Sequence, residues 1–151
     1  MPLNQALVGK EYPALTMEVD RDAVDRFAEA IAEDGAVFRD AEAARAAGFP
    51  EQLAPPTFPT RMQIAVSASI AADPDLGLDY TRVVHGEQAF EWLRPVHVGD
   101  VLTAAPRIAD VRAKGPLEFL VVESEIRDAA GEVVVRARTT LLSRGPGGGA
   151  S

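Results

Sequence analysis

Few side chains in this sequence can move a proton. Among 151 residues there are two histidines, His85 and His97, and no cysteine. Thiolate nucleophiles, disulfides and cysteine metal sites are therefore excluded, and a zinc site is not expected. No phosphate-binding loop and no Ser-His-Asp order is present. Glu87 follows His85 by two residues. On a strand the two would share a face, so the carboxylate could orient the imidazole. Gly86 between them permits a bulge or a close backbone approach, and a role in strand pairing or a dimer contact is the alternative reading. His97, just ahead of the Val98-Gly99-Asp100 turn, is expected to be exposed. Glu33 could serve as a base, although a carboxylate at a helix C-terminus is commonly a solvated charge. Thr57-Phe58 opens a helix and would offer backbone N–H groups to a developing oxyanion. The plainer reading of Thr57 is a helix cap, with Pro55-Pro56 stiffening the loop.

The elements that must position these groups fall into two halves. Asp20 is a plausible N-cap, and Val24, Phe27, Ala28 and Ile31 recur at helical spacing, so the pattern predicts a helix over 21–33. Asp40 can cap a short helix through Ala47, with Gly48 as its stop. Leu53 to Pro56 must be extended, because each proline biases the residue before it away from α. A third helix follows Thr57, with Pro59 in its first turn, and Asp73-Pro74 ends it. Met62, Ile64, Ala65, Val66, Ala68, Ile70 and Ala71 make this helix apolar almost all round, which predicts burial on most sides. From there the period changes to two, giving strands over 82–92, 101–113, 117–127 and 132–143. Gly99-Asp100, Lys114-Gly115-Pro116 and Asp128-Ala129-Ala130-Gly131 supply the turns. A near-apolar helix followed by antiparallel strands is best buried by a sheet that curls around the helix, an α+β hot-dog fold.

A formal net charge of -8 disfavours nucleic acid and anionic membranes as partners, while leaving room for a local basic patch. No apolar run is long enough to span a bilayer and no secretory pattern opens the chain, so the cytoplasm is the expected location. One domain is expected over residues 1–144. The glycine-rich stretch over 145–151 is expected to be disordered.

The order of several segments is similar to that of the MaoC-like hydratases and dehydratases of acyl thioesters. They are Glu33-Asp34-Gly35-Ala36-Val37-Phe38-Arg39-Asp40, then Gly48-Phe49, then Leu53-Ala54-Pro55-Pro56-Thr57-Phe58. Asp75-Leu76-Gly77-Leu78-Asp79-Tyr80, Val83-Val84-His85-Gly86-Glu87-Gln88 and Arg94-Pro95-Val96-His97-Val98-Gly99-Asp100 narrow the likeness. Together they resemble an actinobacterial MaoC N-terminal-like group, which includes the A- and C-type subunits of (3R)-hydroxyacyl-ACP dehydratases. Catalytic members carry Asp-x-Asn-Pro-x-His. Here Glu33 stands at the Asp position, Gly35 at the Asn, Ala36 at the Pro and Phe38 at the His.

That chemistry needs a proton shuttle between Cα and the β-hydroxyl and donors for the enolate oxygen. Phe38 cannot move a proton. It either fills the vacated position as core or lines an acyl channel. The resemblance implies a non-catalytic subunit that holds the acyl chain beside a catalytic B-type partner. It implies substrate-binding positions at Phe38, Pro56, Thr57, Phe58, His85 and Gly86, an acyl-CoA or acyl-ACP ligand, and no cofactor. Two alternatives stay open. One is a homodimeric hydratase or thioesterase using His85 or Glu33, and the other is an acyl-CoA-binding protein without turnover.

Overall fold

In the computed structural model, which describes residues 2–145, five strands form one antiparallel sheet. They are β1 (Leu15–Glu18), β2 (Val83–Trp92), β3 (Val101–Lys114), β4 (Leu117–Arg127) and β5 (Val133–Arg144), in the order β1-β3-β4-β5-β2. Three α-helices precede β2: α1 (Arg21–Ala30), α2 (Ala41–Ala46) and α3 (Thr60–Ala71). The sheet curls so that Leu102, Ala104, Ile108, Leu120, Val122, Ile126, Val135 and Leu141 point inward and bury against Met62, Val66 and Ile70 of α3. This is the hot-dog arrangement that the switch in period predicts. Four of the five strands fall within one residue of their predicted limits. β1 was not anticipated. It is four residues long, its Leu15 and Met17 are half-buried, and it exists because it pairs with the start of β3.

Helix α1 is three residues shorter than expected. Its end is a Schellman turn: the Ala32 N–H donates to Glu29 O (3.1 Å) and the Glu33 N–H to Ala28 O (2.8 Å). Ala32 takes φ 55°, a conformation that glycine usually supplies there. The turn aims residues 33–40 across the helix rather than along it. Asp40 caps α2, its Oδ1 accepting from the Glu42 N–H at 3.1 Å, as expected.

Two expectations about α3 are corrected. The Thr57 side chain caps nothing: residues 56–59 form a turn, the helix begins at Thr60 behind Pro59, and no side-chain cap is made. The helix is not buried on most sides either. Ile64 is 57% exposed, and Arg61, Ala65 and Ala68 lie beside it in the open. The sheet covers one face of α3, and a single chain leaves the other apolar face uncovered.

β2 is the long edge of the sheet, and Val84, Trp92 and Leu93 stand exposed along it. Gly145, expected in a disordered tail, is instead buried and donates its N–H to Pro116 O at 2.9 Å. The rest of that expected tail, 146–151, lies outside the described residues. No helix among the described residues is long and apolar enough to cross a membrane.

Candidate functional site

The segment 52–54 runs extended between two loops and fastens both. The Leu53 N–H donates to Val37 O (2.9 Å), the Ala54 N–H to Val96 O (2.8 Å), and the Val98 N–H to Gln52 O (2.9 Å). Gln52 is 1% exposed and its amide is fully used. Nε2 donates to Asp25 Oδ1 (2.7 Å) and to Phe38 O (2.8 Å), and Oε1 accepts from Arg21 at 2.8 Å. One side chain thus ties α1 to the carbonyl of Phe38. Beneath it, Glu51 takes Arg21 and Arg45 at 2.9 Å each.

The Gln52 N–H and the Arg21 guanidinium hold the Glu51 carboxyl down at about 2, against an ordinary 4.5. A carboxyl depressed by folding stabilises the fold above its ordinary range and stops doing so as pH falls towards the depressed value. Thermal melts are therefore expected to be flat above about pH 5 and to fall steeply between there and about pH 2. Glu51→Gln should lower the neutral melting temperature and flatten the acid slope. An unchanged slope would show that Glu51 is not one of its sources.

These fastenings position a pocket of about 410 Å³. Phe38, Pro55, Pro56 and Pro59 form one side, and Trp92, Leu93, Arg94 and Val96 the other. Phe38 is half-buried at its mouth. Phe38 therefore lines a pocket and is not part of the closed core. Trp92 Nε1 donates to Pro56 O at 2.8 Å, which latches the strand to the proline loop. The Phe58 N–H is spent on Pro55 O (2.9 Å) and the Thr60 N–H on Thr57 O (3.0 Å). Proline has no N–H, so among residues 55–60 the Thr57 amide is the donor left without a protein partner.

The charge at the wall is neutralised in place. Arg94 makes two hydrogen bonds of 2.9 Å to Asp100 and one of 3.2 Å to Asp128. The Glu132 N–H and then Arg94 hold the Asp128 carboxyl below its usual range. His97 belongs to this cluster and is not exposed as expected. It is half-buried, its N–H donates to Asp100 Oδ2 at 3.0 Å, and Nδ1 lies 2.9 Å from Val98 O. The turn folds His97 back over Asp100.

The remaining candidates lie elsewhere. Glu33 does not line the pocket; its Oε1 accepts from the Gly35 N–H at 3.0 Å. A Cβ on Gly35 would come within 3.0 Å of both Glu33 Oε1 and the Phe38 ring, so this loop is closed over its own side chains. His85 and Gly86 stand on the β2 edge away from the pocket. The register shifts between His85, paired with Leu141, and Glu87, paired with Thr140. The extra residue of the bulge reverses the alternation, so the imidazole and the Glu87 carboxylate face opposite sides of the sheet and cannot form the expected pair. Gly86 fills the bulge where a Cβ would sit 1.9 Å from Leu142 Cδ1.

Trp92, Leu93 and Gln52 are pocket-forming residues that sequence reasoning passed over. An exposed Trp-Leu pair closing a strand was the visible signal for the first two. Gln52 carried none.

Residues 6–137 match the family of FAS1-like dehydratase domain regions. A UPF0336 protein of Saccharopolyspora erythraea is 44% identical over 146 residues, 96% of this chain and 94% of that one. A second, from Streptomyces coelicolor, is 43% identical over 95% of this chain and 97% of its own length. Among solved structures, the C-terminally truncated HadBC complex of Mycobacterium tuberculosis, a 3R-hydroxyacyl-ACP dehydratase, contains a chain that superposes with TM-score 0.82. It is 29% identical, over 91% of this chain and 97% of that chain. A MaoC-like dehydratase superposes with TM-score 0.86 at 26% identity over 94% of this chain, which spans 43% of that longer protein.

Proposed function

Because this chain belongs to the family of FAS1-like dehydratase domain regions, with MaoC-like dehydratases as its structural neighbours, we propose that it is an acyl-chain-binding, non-catalytic subunit. The assembly would be a heteromeric (R)-3-hydroxyacyl-thioester dehydratase, in which a second MaoC-like chain supplies the aspartate and histidine. One observation carries this reading. The pocket that Phe38 lines, at the position matching the family's histidine, is otherwise bounded by apolar residues and one arginine. That arginine is already committed to two aspartates. Nothing on this wall exchanges a proton near neutral pH, yet the wall suits an alkyl chain.

The exposed β2 edge and the bare apolar stripe of α3 support an assembly role. A long open strand edge is a liability that a partner removes. The relative in the HadBC structure functions in a complex of such chains. A CoA or acyl-carrier thioester is the ligand this reading requires.

Phe38→Ala tests the pocket. A Phe in closed core would cost about 3–5 kcal/mol on truncation. Half-buried Phe38 is expected to cost distinctly less, while acyl-CoA affinity or chain-length preference shifts. A large loss of stability with unchanged affinity would make Phe38 ordinary core.

A further inference from the structure

The outer face of the sheet carries its charge in two ways. Toward one end the arginines are paired across strands. Glu123 lies opposite Arg107 on β3 and Arg138 on β5 and bonds both, at 2.6 and 2.5 Å. Arg127 reaches Glu125 at 2.5 Å, and Arg136 reaches Glu91 at 3.4 Å. Toward the other end the pairing stops. Leu117 lies between Lys114 on β3 and Arg144 on β5. Val84 and Val83 pair with Leu142 and Ser143, so the next residue back, Arg82, comes alongside Arg144. Like charges set opposite each other cost stability. The chain has carboxylates to spare, with a net charge of -8, and none separates these two.

Arg82 and Arg144 line one cavity of about 510 Å³, floored by Val84, Leu117 and Leu142. Val84 is 62% exposed. No carboxylate lines this cavity, and among the described residues neither arginine is in an ion pair. The acidic side chains around it are spent elsewhere. Asp79 accepts from the Thr81 N–H at 3.1 Å and from its hydroxyl at 2.6 Å. Thr81, and more weakly the charge of Arg82, hold the Asp79 carboxyl below its usual range. Asp110 is taken by Arg112 at 2.7 Å. Glu118 turns to the inner side, where it is 8% exposed and accepts the Leu3 N–H at 2.7 Å.

We propose that this end of the sheet is a second ligand site, which takes an amphipathic anion. Its carboxylate or phosphate head would sit between Arg82 and Arg144, whose planar guanidinium forks match either group. The start of an apolar tail would lie on Val84, Leu117 and Leu142. Val84 is eight residues from Trp92 along β2, about 26 Å at 3.3 Å per residue. A ligand here is therefore distinct from one in the pocket at Phe38, and the site stands whether or not the acyl-binding reading does. A strand added at the β2 edge would extend the sheet and leave this face open.

Titration calorimetry on the full-length chain at low ionic strength tests it, with octyl phosphate, octanoate, inorganic phosphate and octanol as probes. One of the two amphipathic anions is expected to bind at least about tenfold tighter than inorganic phosphate and than octanol, because head and tail each contribute on that scale. Preference for octyl phosphate would point to a phosphate ester, and preference for octanoate to a free fatty acid. In Arg82→Gln with Arg144→Gln that affinity should fall about tenfold or more, while the ligand-free melting temperature holds or rises as the like charges are removed. Inorganic phosphate or octanol binding as tightly as the amphipathic anions would overturn an amphipathic ligand. No binding of either anion, an unchanged affinity in the double variant, or a ligand-free melting temperature that falls would overturn the site.

Discussion

Purified alone, the chain is expected to hydrate crotonyl-CoA at a rate lower by a factor on the order of 10²–10⁴ than a family member carrying the Asp and His pair, the usual contribution of general acid–base catalysis. Restoring the letters should not restore the rate. Glu33→Asp with Phe38→His changes two side chains, but Gly35 and Ala36 still stand where the family motif carries Asn and Pro, so the loop that would position the pair is not rebuilt. A pair out of position by even 1 Å forfeits about 10² in rate. Progress curves on the parent and the double variant check both statements. Ordinary turnover by the parent, abolished by His85→Ala, would return the activity to this chain alone.

Asp100→Ala should be the most damaging single change at the pocket, costing about 2–4 kcal/mol. Asp100 is 8% exposed and accepts from Arg94 twice and from the His97 N–H. Removing one partner of a buried ion pair costs about 3–5 kcal/mol. The figure here is discounted because the Arg94 side chain is 32% exposed and can turn to water. Asp128 remains as a second partner, at 3.2 Å. Arg94, Pro95 and Val96, freed from their anchor, form part of the pocket wall, so acyl-CoA affinity should fall with the melting temperature. Asp100→Asn, which can still accept the His97 N–H, should lose less. Equal losses in the two variants would mean that the charge alone matters. No loss in either would remove the cluster from this account.

The strands were legible because alternation and turn residues are local signals, and Val133 to Leu142 carry both. The start of α3 misled because Thr57 has the right chemistry for a cap but stands two residues ahead of the cap position, which Pro59 occupies, before a turn that Pro55, Pro56 and Pro59 impose. His85 and Glu87 misled for a different reason. A two-residue spacing puts side chains on one face only while pairing is regular, and the bulge at Gly86 appears only in the register with β5. Phe38 was readable as matching the family's histidine position only through the resemblance carried by the order of the segments around it. What surrounds it was not. Gln52 reaches Asp25 and Phe38 across 27 and 14 residues, and Arg94 reaches Asp128 across 34. Contacts of that separation leave no periodic trace.

The central claim is that chemistry needs a second chain. The direct measurement is to purify the tagged, full-length protein from its native cell, sequence what elutes with it, and assay crotonyl-CoA hydration before and after separating the chains. A hot-dog partner carrying Asp-x-Asn-Pro-x-His should co-elute in equal amount. Activity should vanish from this chain on separation and return at full rate only on remixing. A homodimer that retains full activity with no second chain present would contradict the account.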